Sequence, residues 1–301
     1  MSNIRKPNVV GLGEVLWDVF PSGAHFGGAP ANFACHAASL GAAGYIVSAV
    51  GIDSLGTQVF EEFRLREVHT EYLQKNQFHA TGTVDVILDP LGQASYHFAK
   101  DSAWDNLHWT DSLAVLAQRC DAVCFGSLAQ RSELARTTIY RFLATTKHDC
   151  LRVFDVNLRQ DFYNLEVLDE SLKVATLLKL NDDELPIVAK LLGASESSYQ
   201  KVLPWLSEKY NLQCIALTRG ASGSVIFANG TFDEQVGRDV KVVDTVGAGD
   251  AFTAALVVGI TNHKPITEAH QLASELAAFV CTQQGATPYV AHKPILRFES
   301  L

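Results

Sequence analysis

The chain has 301 residues, of which 48% are hydrophobic and 19% are charged, and its formal net charge is −9. This length allows a large buried core, whereas the acidic balance argues against nucleic acid or an anionic membrane as the main partner, because either would favour a basic surface. The opening MSNIRKPN lacks the apolar run of a signal peptide, and no stretch approaches the length of a membrane-spanning helix. We therefore expect a soluble, cytoplasmic protein that binds neither nucleic acid nor membrane.

Short apolar runs alternate with helical patterns along most of the chain. The runs end in Gly, Ser or Asn, as buried parallel strands often do, and the stretches between them are amphipathic with a helical period. This alternation predicts an α/β fold, with a doubly wound, mostly parallel sheet and helices on both faces. The predicted strands are residues 9–13, 45–51, 121–127, 152–157, 177–181 and 214–220, and the predicted helices include 31–41, 55–68 and 133–147.

Two segments, at about 14–28 and 80–106, interrupt this alternation. Both alternate apolar and polar residues around turn signals, and DPLGQ (89–93) is typical of a hairpin tip. We expect the two segments to pair into a small sheet that projects from the main sheet as a lid. Because no repeat or flexible linker divides the chain, we expect residues 1–301 to form a single domain.

The stretch DTVGAGDAF (244–252) carries the strongest chemical signal. Gly247 and Gly249 permit a tight turn that exposes backbone N–H groups, and the helix predicted from about residue 248 to 259 adds its unpaired N-terminal donors. Such a turn suits a phosphoryl group with developing negative charge, and one donor of an anion hole is worth about 10²–10³ in rate. The predicted anion hole is the backbone of Gly247, Ala248, Gly249 and Asp250.

Asp250 does not belong in a simple phosphate cradle, because its carboxylate would repel the phosphate. Two interpretations remain open. Asp is favoured in the first turn of any helix, and a carboxylate here can also accept the proton of a hydroxyl that attacks phosphorus. If Asp250 is the base, we expect the helix terminus to keep it ionised at a cost in basicity, which a late proton transfer would tolerate.

Two other phosphate-binding motifs are missing from the sequence. No GxxxxGK[ST] occurs, and Gly11-Leu12-Gly13 lacks the third glycine of the dinucleotide-binding GxGxxG. A dinucleotide-dependent oxidoreductase is therefore a distant alternative.

DTVGAGDAF resembles the C-terminal signature of the ribokinase-like (PfkB) carbohydrate kinases. Other motifs of that family follow in the expected order, and the resemblance, which is strongest to the bacterial fructokinases, covers essentially the whole chain. It implies a Rossmann-like doubly wound sheet with a small β-sheet lid. The motifs are GEVLWDVFP (13–21), GGAPANFACHAASLG (27–41), DVNLR (155–159), NDDEL (181–185) and TRGASGS (218–224).

The resemblance implies an ATP-dependent sugar kinase that uses Mg²⁺ and, as in some relatives, K⁺. The expected activity is that of a fructokinase, which converts fructose and ATP to fructose 6-phosphate and ADP, with Asp250 as general base. The alternatives are a kinase for 2-keto-3-deoxygluconate, ribose or a nucleoside, and a sugar-sensing protein without catalysis. A homodimer through the lid is also expected, since exposed sheet edges tend to pair.

The resemblance also implies roles for individual residues. The sugar is expected to bind Asp18, Gly27, Gly28, Asn32, Phe98 and Arg159, and ATP to bind Asn181, Thr218, Gly220 and Gly223. Glu184 is expected to hold Mg²⁺ through water, and Asp244 a monovalent cation.

Structural alternatives stay open for several of these residues. Arg159 is equally placed for a surface ion pair with Asp161, and Asn181 for capping the next helix. Trp104 departs from the family pattern, and with Tyr96 and Phe98 it either lines the sugar site or packs in the core.

Overall fold

The protein is described by a computed structural model that covers residues 5–88 and 94–288. The predicted hairpin tip DPLGQ (89–93) lies outside the described residues. The strands are β1 (Asn8–Leu12), β2 (Leu16–Phe20), β3 (Gly23–Gly27), β4 (Ala43–Gly51), β5 (Leu73–Asn76), β6 (Gly82–Leu88), β7 (Ala94–Phe98), β8 (Ala122–Phe125), β9 (Leu151–Asp155), β10 (Leu177–Asn181), β11 (Cys214–Thr218), β12 (Ser224–Ala228) and β13 (Thr231–Gln235). The helices are α1 (Ala29–Ser39), α2 (Ser54–Leu65), α3 (Asp111–Ala117), α4 (Glu133–Thr145), α5 (Leu165–Val174), α6 (Glu184–Leu192), α7 (Tyr199–Tyr210), α8 (Ala248–Thr261) and α9 (Ile266–Cys281).

A large, mostly parallel sheet forms the centre of the fold. Within the described residues its strand order is β13-β12-β11-β10-β9-β8-β1-β4-β5, and only the pairs β11–β12 and β12–β13 are antiparallel. All six strands predicted from apolar runs belong to this sheet. The strands β12 and β13, at one end of the sheet, form a hairpin that the alternation of strands and helices did not indicate.

Helices cover both faces of the large sheet, as predicted. Successive side chains of a strand point to opposite faces. Val10 and Leu12 of β1 pack in one apolar cluster with residues of α3 to α7, whereas Val9 packs in a second cluster with residues of α8 and α9. Both clusters exclude water from the sheet, and burial of this apolar area is the main favourable contribution to folding.

The predicted small sheet is confirmed, with the strand order β3-β2-β6-β7. The two interrupting segments are joined by parallel pairing of β2 with β6, which places Asp18 opposite Val84. The antiparallel pairs β2–β3 and β6–β7 complete the sheet.

Helix α8 is apolar almost all round, and every residue from Ala251 to Gly259 is buried. It lies between α1 and α9, with Asp250 in its first turn. A helix buried on every side is held rigidly by its neighbours. Its N terminus is therefore a fixed point of the structure. Among the described residues, none of the helices is both long and apolar enough to cross a membrane.

Candidate active site

The turn from Gly247 to Asp250, which opens α8, presents free backbone donors. Gly247 precedes the helix with a φ of 79°, a left-handed conformation that favours glycine. A Cβ at Gly247 would lie 2.2 Å from the carbonyl oxygen of Ala286, so this position also needs the space that glycine leaves. In the described part of the chain, the N–H groups of Gly249 and Asp250 have no protein acceptor. The turn thus has the free donors that an anion hole needs.

Two cavities meet at this helix terminus. The larger has a volume of about 660 Å³ and the smaller about 550 Å³. Both lie beyond the carboxyl ends of the parallel strands, where doubly wound sheets bind ligands. A ligand in one cavity would therefore lie beside a ligand in the other. The residues common to both walls are Lys179, Asn181, Thr245 and Gly249.

Most of the predicted site residues line these cavities. Gly27 and Asp244 lie outside both walls: Gly27 is packed behind the carboxylate of Asp18, where its Cβ would lie 3.0 Å from Oδ2. The smaller cavity contains Asp18, Gly28, Asn32, Phe98, Arg159, Glu184, Gly247, Gly249 and Asp250. The larger contains Asn181, Thr218, Gly220, Gly223, Ala248 and Gly249.

Asp250 lies in the smaller cavity and is held by the buried side chain of Asn32. The Asn32 amide donates to Asp250 Oδ2 at 2.8 Å, which orients the carboxylate. Burial, followed by the nearby charge of Asp155, raises the pKa of Asp250 to about 6. The expected loss of basicity is therefore wrong, because desolvation outweighs the helix terminus. With this pKa the carboxylate is still about 90% ionised at pH 7, as expected for a general base.

Lys179 is a buried cation in the wall between the two cavities that the sequence motifs did not single out. Its Nζ lies 3.0 Å from Asp155 Oδ1, and the hydroxyl of Thr253 lies 2.9 Å from Asp155 Oδ2. A Cβ at Gly249 would lie 3.0 Å from Lys179 Nζ, so the ammonium group adjoins the anion hole. Neighbouring carboxylates, led by Asp155, raise the pKa of Lys179 against the opposing effect of burial, and the group stays charged. A lysine inside the apolar strand LLKLN was the one available sequence signal.

Glu184 joins the ends of two neighbouring strands through its carboxylate. Its Oε1 accepts from the backbone N–H of Leu158 at 2.9 Å, and its Oε2 accepts from that of Asn181 at 2.8 Å. Asn181 Oδ1 in turn accepts from the Glu184 N–H at 2.8 Å. These two reciprocal hydrogen bonds between Asn181 and Glu184 cap the start of α6, as the alternative interpretation of Asn181 expected. Glu184 also faces the smaller cavity, so the two interpretations are compatible.

Asp244 links two loops near the anion hole. Its Oδ1 accepts from the N–H of Val246 and its Oδ2 from that of Gly285, each at 3.0 Å. The Gly285 loop continues to Ala286, whose carbonyl faces Gly247. Binding of a monovalent cation here remains a prediction.

The small sheet forms one wall of the smaller cavity. Asp18 is partly exposed to the cavity, and burial raises the pKa of its carboxyl group. Tyr96 and Phe98 also line the wall, whereas Trp104 does not. Trp104 is 2% exposed and packs under the guanidinium of Arg131, 4.1 Å from its ring centre. Trp104 is therefore a core residue, and the idea that it stacks on a sugar is wrong.

Arg159 lies on the cavity side rather than in a surface ion pair. Its positive charge acts on the carboxyl groups of Glu14, Asp18 and Asp250, which all line the smaller cavity. In the part of the chain that the structure describes, no ion pair joins Arg159 to Asp161. Arg159 is thus a cation placed beside acids and an open volume.

The chain matches the pfkB family of carbohydrate kinases over residues 13–293. This range contains every residue of the two cavity walls. The chain belongs to the pfkB family of carbohydrate kinases. It is therefore a phosphotransferase that acts on a sugar hydroxyl, as the sequence motifs predict.

Several known kinases are similar to this chain over most of their length. A Pyrococcus horikoshii protein, the sugar kinase PH1459, is 30% identical over 283 residues, which cover 91% of this chain and 86% of the relative. The fructokinase of Escherichia coli is 28% identical, with 91% of this chain and 93% of the relative covered. The structure of Xylella fastidiosa fructokinase has the same fold, with a TM-score of 0.82 at 23% identity over 93% of this chain and 94% of that one.

Proposed function

We propose that this pfkB-family kinase is a fructokinase, which transfers the γ-phosphoryl group of ATP to the primary 6-hydroxyl of fructose. The observation that carries the proposal is the meeting of two cavities at the free N–H groups in the first turn of α8, with Asp250 on the side of the smaller one. Similarity to the fructokinase of Escherichia coli supports fructose as the acceptor. PH1459, whose structure in complex with ATP is 28% identical with a TM-score of 0.77 over 93% of this chain and 94% of that one, supports the nucleotide.

In this proposal each cavity binds one of the two substrates. ATP binds in the larger cavity, where Thr218, Gly220 and Gly223 surround its ribose and phosphates. The sugar binds in the smaller cavity between Asp18 and Asp250, with Phe98 and Arg159 in the wall. Asp250 accepts the proton of the attacking hydroxyl, and the free N–H groups of Gly249 and Asp250 stabilise the charge on the phosphoryl group. The Ala248 N–H, which the sequence motif also suggested, donates instead to the carbonyl oxygen of Thr245 at 3.3 Å.

Magnesium fits the oxygen-rich wall at the end of β10. Mg²⁺ binds through one or two carboxylates, phosphate oxygens and water, and it needs no all-protein cage. Glu184, Asn181 and the neighbouring Asp182 and Asp183 provide oxygen atoms along the two cavities. When bound there, the ion would neutralise charge on the phosphates of ATP. Lys179 provides a fixed positive charge of the protein in the same wall.

A substrate screen tests the proposed function. ADP release should be measured with ATP and a panel of fructose, ribose, 2-keto-3-deoxygluconate, glucose and nucleosides. We expect fructose to give a kcat/KM at least about tenfold above any other acceptor, because a site whose polar groups pair with hydroxyls at fixed positions rejects acceptors that lack these hydroxyls or carry them elsewhere. A higher kcat/KM for a nucleoside or for 2-keto-3-deoxygluconate would replace fructose as the proposed substrate. Sugar binding without transfer to any acceptor would favour a sensing protein.

The pH dependence of kcat/KM tests Asp250 in the free enzyme. Because the carboxylate must be unprotonated to accept a proton, and its pKa is raised to about 6, activity should fall as the pH drops through this value. We expect an acid limb with a midpoint near pH 6. Initial rates at subsaturating sugar, in buffers of constant ionic strength, measure it. A midpoint near about 4, the ordinary value for Asp, would contradict the assignment.

We also propose that residues 1–301 act as one kinase domain and that the small sheet is its lid. The edges of that sheet, β3 and β7, are free to pair among the described residues, and Ile87 on β6 is exposed. A homodimer through the lid would cover them.

A further inference from the structure

Glu14 is a buried acid with an unpartnered oxygen in the wall of the smaller cavity. It follows β1 and precedes β2, and it is 1% exposed. Within the described residues, its Oε2 has no hydrogen-bond partner. The backbone N–H of Ala29, at the start of α1, interacts with the carboxyl group and lowers its pKa, against the larger effect of burial. A buried polar atom without a partner is rare in folded proteins, and beside an open cavity it indicates a missing ligand.

A second unpartnered oxygen belongs to another residue of the same cavity wall. Asn32 Oδ1 is buried and has no partner in the part of the chain described, although the amide nitrogen of the same side chain is bound to Asp250. Asn32 lies three residues after Ala29, so it shares a face of α1 with the residue that contacts Glu14. The two oxygens therefore belong to one end of the cavity, next to Asp250.

The packing of the chain fixes Glu14 in this position. A Cβ at Gly28, which has a φ of 106°, would lie 2.6 Å from the carbonyl oxygen of Glu14, so the start of α1 rests directly on its backbone. The Glu14 side chain belongs to the wall of the smaller cavity and is 1% exposed, so its surroundings hold it away from bulk solvent.

We propose that Glu14 is a further sugar-binding residue, which together with Asn32 Oδ1 holds one hydroxyl group of the acceptor. The proposal rests on the proposed sugar kinase activity. A hydroxyl both donates and accepts, whereas Asn32 Oδ1 only accepts. The matching donor is the acid form of Glu14: the hydroxyl donates to Asn32 and accepts from the Glu14 O–H.

The surroundings of Glu14 favour this acid form. Burial raises the pKa of Glu14 to about 7, and the charge of Asp250 acts in the same direction, while Arg159 and nearby backbone N–H groups oppose it. Near neutral pH the carboxyl group therefore carries a proton in much of the population, and the proton can be offered to a sugar oxygen. A hydroxyl bound here lies beside the Asn32 amide that orients Asp250. The contact would thus select the acceptor and position it at the same time.

The test combines two variants with deoxy sugars. Wild type, Glu14→Leu and Glu14→Gln are assayed for kcat/KM with the best acceptor of the screen and with each of its monodeoxy analogues that keeps the hydroxyl to be phosphorylated. Glu14→Leu should lose about 10²-fold or more on the parent sugar, but less than about threefold on the one analogue that lacks the hydroxyl held by Glu14. Glu14→Gln should recover most of the loss, because its amide accepts from the Ala29 N–H and donates into the cavity.

Two controls separate a binding role from a structural one. The KM for ATP should stay unchanged in both variants, and Glu208→Leu, on the exposed face of α7, should behave like wild type. An equal loss on the parent sugar and on every analogue would overturn the proposal for Glu14 while leaving the kinase function intact. If wild type phosphorylates none of the sugars, the proposed function fails first, and the role of Glu14 falls with it.

Discussion

Asp250→Asn is expected to lower kcat by about 10²–10⁴-fold, the range attributed to general acid–base catalysis. The amide keeps the size of the side chain and its place beside Asn32, but it cannot accept the proton of the attacking hydroxyl. Sugar affinity should change little, because the amide keeps the shape of the cavity wall and leaves the Asp18 carboxylate in place. Single-turnover transfer and calorimetric sugar binding measure the two effects separately.

The matched control for this substitution is Asp111→Asn. Asp111 occupies the first turn of α3, as Asp250 does that of α8, but it is exposed. If Asp250 served only to complement a helix terminus, both substitutions would have a similarly small effect of below about 1 kcal/mol on unfolding and none on turnover. Retention of more than about a tenth of the wild-type kcat in Asp250→Asn would end its assignment as the base.

Gly247→Ala is expected to lower kcat by about 10²–10³-fold, the effect of losing one anion-hole donor. The new Cβ would meet the Ala286 carbonyl oxygen at 2.2 Å, so the turn must move and its N–H groups lose their alignment. The left-handed φ of 79° adds strain of about 1–2 kcal/mol to the same substitution.

Gly193→Ala separates the strain from the displacement of the donors. Gly193 ends α6 with a φ of 82°, and its Cβ would meet nothing within 4 Å. Gly193→Ala should therefore lose about 1–2 kcal/mol of unfolding free energy in chemical denaturation and keep its kcat, whereas Gly247→Ala should lose at least as much, because its turn must also move. Equal rates for the two variants would show that the turn before α8 does not bind the transferred group.

Much of the site was accessible from the sequence because its motifs are local. Glycines and an acid before an apolar run predict a helix terminus with free donors, and the structure has that terminus at Gly247 to Asp250. Strands read from apolar runs predict the parallel sheet, since a buried strand needs apolar residues on both faces. The positions of Thr218 and Asn181 follow, because the ends of parallel strands meet at one edge.

Other features needed the tertiary structure, because they depend on groups far apart in the chain. The raised pKa of Asp250 comes from burial and from Asp155, which is 95 residues away, so the local helix terminus pointed to the opposite shift. The ion pair of Lys179 with Asp155 joins neighbouring strands. Trp104 is a core residue because Arg131, which is distant in the sequence, packs over its ring.

By itself, the sequence determined the family, the positions of six of the parallel strands and the turn with free N–H groups at the start of α8. Each of these depends on residues that are neighbours in the chain or on the regular spacing of apolar residues. Only the tertiary structure decided which carboxyl groups are desolvated and which polar atoms lack partners. Glu14 illustrates the difference: in the chain it is one acid between two strands, and in the fold it is a buried residue of the cavity wall with an unpartnered oxygen. Desolvation and hydrogen-bond satisfaction are sums over everything that packs around a group, and packing brings together residues that the sequence keeps apart.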